Sequence, residues 1–195
     1  VARSEQARPG RMKILFVGGD FARKGGNLLL DVFLERFSAV AELHLVSRQA
    51  PEVLPEHVYA YRDLNPNDPR LRELYIESDV LVIPTTADTG PLWVFLEAMS
   101  TGMPVIGTDT GSNSEVVRHG ETGFIVPIGD SKSLAGAIDA LLVDPGFRFR
   151  MGENGRALIE RQYSASVNVP RILKVMKDAV DQRRLTDRSQ SAECI

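Results

Sequence analysis

Glu97 stands in a run whose residue types suit a phosphorylated, hydroxyl-bearing ligand. From Ala87 to Thr108 the chain reads ADTGPLWVFLEAMSTGMPVIGT. That spacing predicts a strand end, a Gly90-Pro91 loop, a short helix carrying Glu97, a Gly102-Met103-Pro104 turn and another strand. A loop that opens a helix leaves backbone N–H groups unpaired at the positive end of the helix dipole, and both favour an anion. A carboxylate one to two turns further on can accept hydroxyls from whatever carries the phosphate. A nucleotide-linked sugar has both groups.

Glu97 is surrounded in sequence by Trp93, Val94, Phe95, Leu96 and Met99. A carboxylate in apolar surroundings needs good partners. Ligand hydroxyls would serve, and so would nearby backbone N–H groups or Lys24. A second loop, Gly18-Gly19-Asp20-Phe21-Ala22-Arg23-Lys24-Gly25-Gly26, is neither a P-loop nor a G-x-G-x-x-G turn. Its glycines let backbone approach a ligand while Lys24 or Arg23 neutralises a diphosphate. The same residues also read as a flexible turn with solvated charges. Thr110 to Glu115 has the composition of an anion-holding helix start and equally of a capped turn. Gly120-Glu121-Thr122-Gly123 reads as a tight turn without chemistry. His44, His57 and His119 lack metal-ligand spacing, and no G-x-S-x-G nucleophile motif occurs.

These residues need a frame. Apolar runs predict strands at Met12–Val17, Glu42–Ser47, His57–Tyr61, Asp79–Pro84, Pro104–Gly107 and Phe124–Val126. Between them the spacing predicts helices. One runs from an Asn27 cap to Phe37, one from Asp68-Pro69 to Ser78, one around Glu97 and a short one over Ser114–Arg118. Further helices follow from a Ser131 cap to Leu142, near Phe147–Arg161 and over Ala165–Gln182. Alternating strands and helices imply an α/β, Rossmann-like open parallel sheet with helices on both faces and the C-terminal helices packed on it. Such sheets bind ligands at the C-terminal ends of their strands. Gly18-Gly19, Tyr61-Arg62 and the Thr85–Leu92 loop all fall at those ends.

The 195 residues suit one domain over residues 12–182, with polar tails at 1–11 and 183–195. A formal net charge of -3 gives no basic surface for nucleic acid. Cys194 is the single cysteine, which excludes an intrachain disulfide and favours a reducing, cytoplasmic setting. No apolar run approaches the roughly 18 residues of a membrane span, and VARSEQARPGRM lacks the apolar core of a signal peptide. The chain does not begin with Met, as expected of a piece of something longer.

Leu96 to Asp130, LEAMSTGMPVIGTDTGSNSEVVRHGETGFIVPIGD, resembles the donor-binding half of group 1 (family 4) retaining glycosyltransferases of the GT-B fold. The family pattern runs E-A-M-A-x-G-x-P-V, then G-x-x-E, then G-x-x-G with V-P-x-G-D. Phe16-Val17-Gly18 with Lys24-Gly25 resembles its first loop, and Asp79–Pro84 its strand before the active-site loop. The resemblance covers about Met12 to Gln182 and implies one GT-B half.

By position, the resemblance implies Lys24 at the donor diphosphate and Glu97 at the ribose hydroxyls. Backbone near Gly90, Pro91, Leu92 and Trp93 would meet the phosphate or sugar, and Arg62 the base. Gly18 and Gly19 complete the first loop. No obligatory metal or cofactor is implied beyond the nucleotide-diphospho-sugar itself. Three departures stand out. Thr89 takes the place of a second family glutamate, with Asp88 beside it as a substitute catalytic carboxylate. Gly19 replaces a common arginine, for which Arg23 could serve. The N-terminal domain, which supplies the acceptor site, a catalytic histidine and any peripheral membrane contact, is missing. The chain alone is therefore expected to be inactive. The alternatives are a non-catalytic sugar-nucleotide module and a GT-B-fold sugar-nucleotide epimerase.

Overall fold

A computed structural model of the protein describes residues 10–87 and 93–192. Six strands form one sheet: Met12–Val17 (β1), Ala41–Val46 (β2), Val58–Tyr61 (β3), Val80–Ile83 (β4), Val105–Thr108 (β5) and Gly123–Val126 (β6). Every neighbouring pair is parallel, in the order β3-β2-β1-β4-β5-β6. The expected Rossmann-like parallel sheet is what forms. β1 and β2 pair in register from Met12↔Ala41 to Val17↔Val46. β4 and β5 are buried along their whole lengths, as strands covered on both faces must be.

The helices are Gly26–Arg36 (α1), Pro69–Glu77 (α2), Trp93–Ser100 (α3), Asn113–Val116 (α4), Ser131–Val143 (α5), Pro145–Leu158 (α6) and Ala165–Ala192 (α7). Right-handed crossovers place α1 on one face and α2 and α3 on the other. α1 meets α5, and Arg36 on α1 pairs with Asp139 on α5. Leu29, Val32 and Phe33 of α1 and Leu134, Ile138 and Leu141 of α5 turn into the core. Asp79 carries the start of β4: one carboxylate oxygen accepts the Lys13 backbone N–H at 2.8 Å. Its other oxygen lies 3.6 Å from Arg148 on α6, and both side chains are almost fully enclosed.

The chain forms two compact units, one up to Ala157 and one from Leu158 onward. The second consists of a π-helical turn, Ile159–Tyr163, followed by α7. Within it the Ser164 hydroxyl donates to the Glu160 carbonyl. α7 runs past Gln182, where the apolar spacing ends.

Several element ends differ from expectation. α1 starts at Gly26 behind Gly25 (φ 80), so Asn27 is not its cap. Steric pressure explains this, since the Gly25 backbone must turn left-handed beneath β4. The cap of α5 is Asp130 rather than Ser131. Its carboxylate reaches two orphan donors, the N–H groups of Lys132 and Ser133, each at 3.0 Å. His57 has a φ of 64 and so precedes β3 instead of opening it. Pro104 cannot donate to a ladder, and β5 begins after it at Val105.

Gly25 combines two demands that no other residue type meets. Besides its left-handed φ, a Cβ there would lie 2.0 Å from the Pro84 carbonyl oxygen. Gly25→Ala is expected to destabilise the protein by at least about 2 kcal/mol, read as a lower urea midpoint. A midpoint within error of the parent would refute the close approach.

Candidate functional site

The sheet order reverses between β1 and β4: β1 leads by α1 to β2 on one side, and β4 leads by α3 to β5 on the other. Ligands of open parallel sheets bind outside the strand ends at such a switch point. A cleft of about 1670 Å³ opens there. Val17 at the end of β1 with Gly18 and Gly19, Val46 at the end of β2 with the residues to Gln49, and Tyr61 at the end of β3 with Arg62 and Leu64 line it. Tyr75 of α2, Trp93 and Glu97 of α3, and Thr101 just past α3 line it as well.

Lys24 carries the positive wall. Its aliphatic stem crosses Gly18 so closely that a Cβ on Gly18 would meet Lys24 Cγ at 3.0 Å and Phe16 Cζ at 3.1 Å. A side chain at Gly18 would press on the Lys24 stem and the Phe16 ring. Nothing lies within 4 Å of a Cβ on Gly19, which is needed by no such contact. The loop is held by its own backbone: Lys24 N–H donates to Asp20, Gly25 to Ala22 and Gly26 to Phe21. The turn is internally hydrogen-bonded, while the Asp20 and Arg23 side chains remain about half exposed.

Arg23 sits elsewhere. It is not on the cleft lining. Its guanidinium donates to the Asp20 carboxylate at 3.2 Å and to the Ala87 carbonyl at 2.8 Å. Its own carbonyl accepts the Thr86 N–H at 2.9 Å and the Thr85 and Thr86 hydroxyls. Arg23 therefore fastens the loop after β1 to the loop after β4. These bonds tie the Arg23 backbone to Thr85 and Thr86 and its guanidinium to Asp20 and Ala87.

Glu97 also differs from expectation. Its residue is exposed, and the apolar neighbours in sequence lie on another face: Phe95, Ala98 and Met99 are the buried residues of α3. At 3.6 residues per turn, Trp93 and Glu97 stack on one side. Trp93 is 77% exposed. The partner of Glu97 is Tyr75 of α2, whose hydroxyl donates to Oε2 at 2.7 Å. Burial foremost, and then the Glu97 carboxylate, pushes the Tyr75 phenol far above its ordinary range. It is a neutral donor at any working pH. The sequence reading missed Tyr75 because it lies among Leu71, Leu74 and Ile76, where an aromatic reads as core.

Arg62 lines the cleft with its guanidinium already engaged. It donates to the Ala50 carbonyl at 3.3 Å and to the Pro51 carbonyl. That anchors the β2–β3 connection beside the cleft. Arg48 donates to Asn65 Oδ1 at 3.1 Å across the same rim. Asp88, Thr89, Gly90, Pro91 and Leu92 lie outside the described residues. Asn113 is fully buried and donates to the Thr108 carbonyl and the Thr110 hydroxyl, so the Thr110–Glu115 segment is an internally satisfied turn off the cleft. Among the described residues no group of His, Cys, Asp and Glu could hold a metal ion. No helix among them is long and apolar enough to cross a membrane.

Fold and cleft together define a Rossmann-like domain with a cationic and a carboxylate wall at its switch point. The family pattern of "Glycosyl transferases group 1" matches residues 11–144, and the chain belongs to that family. It is 30% identical over 161 residues to the capsular polysaccharide biosynthesis glycosyltransferase CapM of Staphylococcus aureus, covering 78% of this chain and 42% of that protein. It is 34% identical over 174 residues to the phosphatidyl-myo-inositol mannosyltransferase of Mycobacterium leprae, covering 83% and 45%. The chain thus spans less than half the length of these relatives. Among solved structures, Anabaena HepE in complex with UDP-glucose superposes with a TM-score of 0.76 at 20% identity, over 86% of this chain and 49% of that one. The shared fold is one half of a GT-B protein.

His44 supplies a pH-dependent support below the cleft. It is buried on β2, with Nδ1 3.1 Å from the Tyr61 hydroxyl and Nε2 3.4 Å from Glu42. Its ring stacks on Tyr59 at 5.0 Å. Burial lowers its pKa below 6.5, partly offset by the Glu42 hydrogen bond. The unfolded chain therefore binds the proton more readily, and stability present above 6.5 is lost as pH falls through the folded value. Thermal melts between pH 7.5 and 5 should fall more steeply for the parent than for His44→Gln. Parallel curves would remove His44 from the account.

Proposed function

We propose that the chain is the donor-binding half of a retaining glycosyltransferase, which takes a sugar from a nucleoside diphosphate and transfers it to an acceptor. The observation that carries this reading is the pairing of walls: Lys24 over Gly18 on one side of the cleft, Glu97 with Tyr75 on the other. A nucleotide-sugar has a diphosphate for the first and ribose hydroxyls for the second. The solved HepE structure named above holds UDP-glucose, which supports a ligand of this class.

In this reading Lys24 meets the diphosphate. Charge accumulates there as the bond from the anomeric carbon to the phosphate oxygen breaks. A fixed cation stabilises that leaving group more than it stabilises the ground state. Glu97 accepts the ribose hydroxyls, and the rim at Arg62 lies by the base. The resemblance to the family supports a role for Trp93 and the Asp88–Leu92 stretch at the transferred sugar, with Asp88 as the substitute catalytic carboxylate. The acceptor is held by an N-terminal domain outside this chain, so the chain alone binds donor without transferring sugar. The expected setting is the cytoplasm, where the lone Cys194 stays reduced.

Trp93 is the single tryptophan and lies on the cleft, so its fluorescence reports occupancy. Titration with UDP, GDP, ADP and UDP-glucose is expected to change the emission with at least one nucleotide. Lys24→Ala should weaken that nucleotide about tenfold, the scale of one charge-assisted contact. Absence of any response, by fluorescence or calorimetry, at millimolar nucleotide would refute the reading.

A further inference from the structure

Tyr75 meets α3 and the turn that ends it. Its side-chain hydroxyl donates to Glu97 Oε2 at 2.7 Å. Its backbone carbonyl lies 3.2 Å from the hydroxyl of Thr101, just past α3, which shares its one proton with the nearer Ala98 carbonyl at 2.8 Å. Tyr75 is 6% exposed and has little room to move. The α2 helix that carries it is itself fixed, since Asp68 caps its first turn by accepting the Arg70 N–H at 2.9 Å. Glu97 by contrast projects from an exposed position on a helix face and has three side-chain torsions to order.

The donated hydrogen bond has a geometric consequence. A carboxylate offers about four lone-pair sites in one plane. With one site on Oε2 occupied by the Tyr75 hydroxyl, the carboxylate is restrained from the protein side, and its other sites are left for a ligand in the cleft that Glu97 lines. A fixed carboxylate plane suits two neighbouring hydroxyls, which it can accept side by side. A freely rotating one must be ordered by the ligand, and that ordering lowers affinity.

We propose that Tyr75 is a positioning residue that holds the Glu97 carboxylate for two-point capture of a ribose diol, so that it sets the discrimination between ribo- and 2′-deoxyribonucleotides. The inference rests on the nucleotide-binding reading above and adds to it the residue through which sugar discrimination is enforced. Tyr75 touches no ligand itself and acts through Glu97.

The test measures affinities of the full 195-residue chain for UDP, GDP and ADP and for their 2′-deoxy counterparts. Four proteins are compared by calorimetry: parent, Tyr75→Phe, Glu97→Gln and the double variant. For the nucleotide the parent binds best, Tyr75→Phe should weaken the ribo form about tenfold, the scale of one hydrogen bond to a charged group. The 2′-deoxy form should be little changed, so their ratio collapses, and the double variant should bind no more weakly than Glu97→Gln. Equal weakening of both forms would mean that Tyr75 only packs α2 against α3, and an unchanged ratio would also overturn the proposal. If no nucleotide binds the parent, the donor-binding reading fails and this inference falls with it. Should Tyr75→Phe not fold, Thr101→Val decides: it removes the hydroxyl set between the Tyr75 and Ala98 carbonyls, and the ratio must drop in the same direction or the proposal is lost.

Discussion

The close approach of Gly25 to the Pro84 carbonyl oxygen governs the site. A Cβ at Gly25 would sit 2.0 Å from that oxygen, so the loop after β1 is pressed against the end of β4 with no side chain between. Everything that follows in the loop depends on this. Arg23, two residues earlier, can then receive the Thr86 N–H and the Thr85 and Thr86 hydroxyls on its carbonyl. Lys24, between them, turns the other way, over Gly18 and into the cleft. Of these two adjacent cations, Arg23 donates to Asp20 and Ala87 while Lys24 lines the cleft.

Charge placement in the first unit follows the same economy. Asp79 joins the start of β4 to β1 through the Lys13 N–H, and Arg148 satisfies its other oxygen. Breaking such an enclosed pair from one side leaves an uncompensated charge, which costs far more than an exposed pair contributes. By comparison, Arg70 with Asp63 and Asp68 lies in solvent at the start of α2. There the capping role of Asp68 matters more than the ion pairs. The sheet is thus locked at the β1–β4 seam, where the cleft opens.

The sheet was largely legible in the residues. Met12–Val17 and Asp79–Pro84 are apolar runs with abrupt polar or proline ends, and parallel buried strands leave that mark. Helix caps were less legible, because Asn27 and Ser131 are good capping types with better-placed rivals next to them. A left-handed Gly25 or the two-donor reach of Asp130 depends on where the preceding strand or turn delivers the chain. Glu97 was found, but its surroundings were misread. Sequence neighbours on a helix point in different directions, so Trp93 to Met99 is an apolar run in sequence and a split face in space. Tyr75 could not be found at all from its own segment, since its meaning arises only when α2 is laid beside α3. Arg23 and Lys24 look interchangeable in sequence, and the fold distinguishes them: Arg23 donates to Asp20 and Ala87, and Lys24 lines the cleft.

The two walls of the cleft come from separate supersecondary units, β1–α1 and α2–β4–α3, and each wall is rigid within itself. The Lys24 stem packs over Gly18, and Glu97 accepts from Tyr75. Neither support crosses the cleft. The distance between cation and carboxylate is therefore set by how β1 pairs with β4, through Ile14↔Val80 and Leu15↔Leu81. Register in a sheet buried on both faces resists slippage, because a one-residue shift would invert every side chain. The residues that would grip a nucleotide, Lys24 and Glu97, are thus carried by elements whose spacing is fixed inside the sheet rather than at its surface.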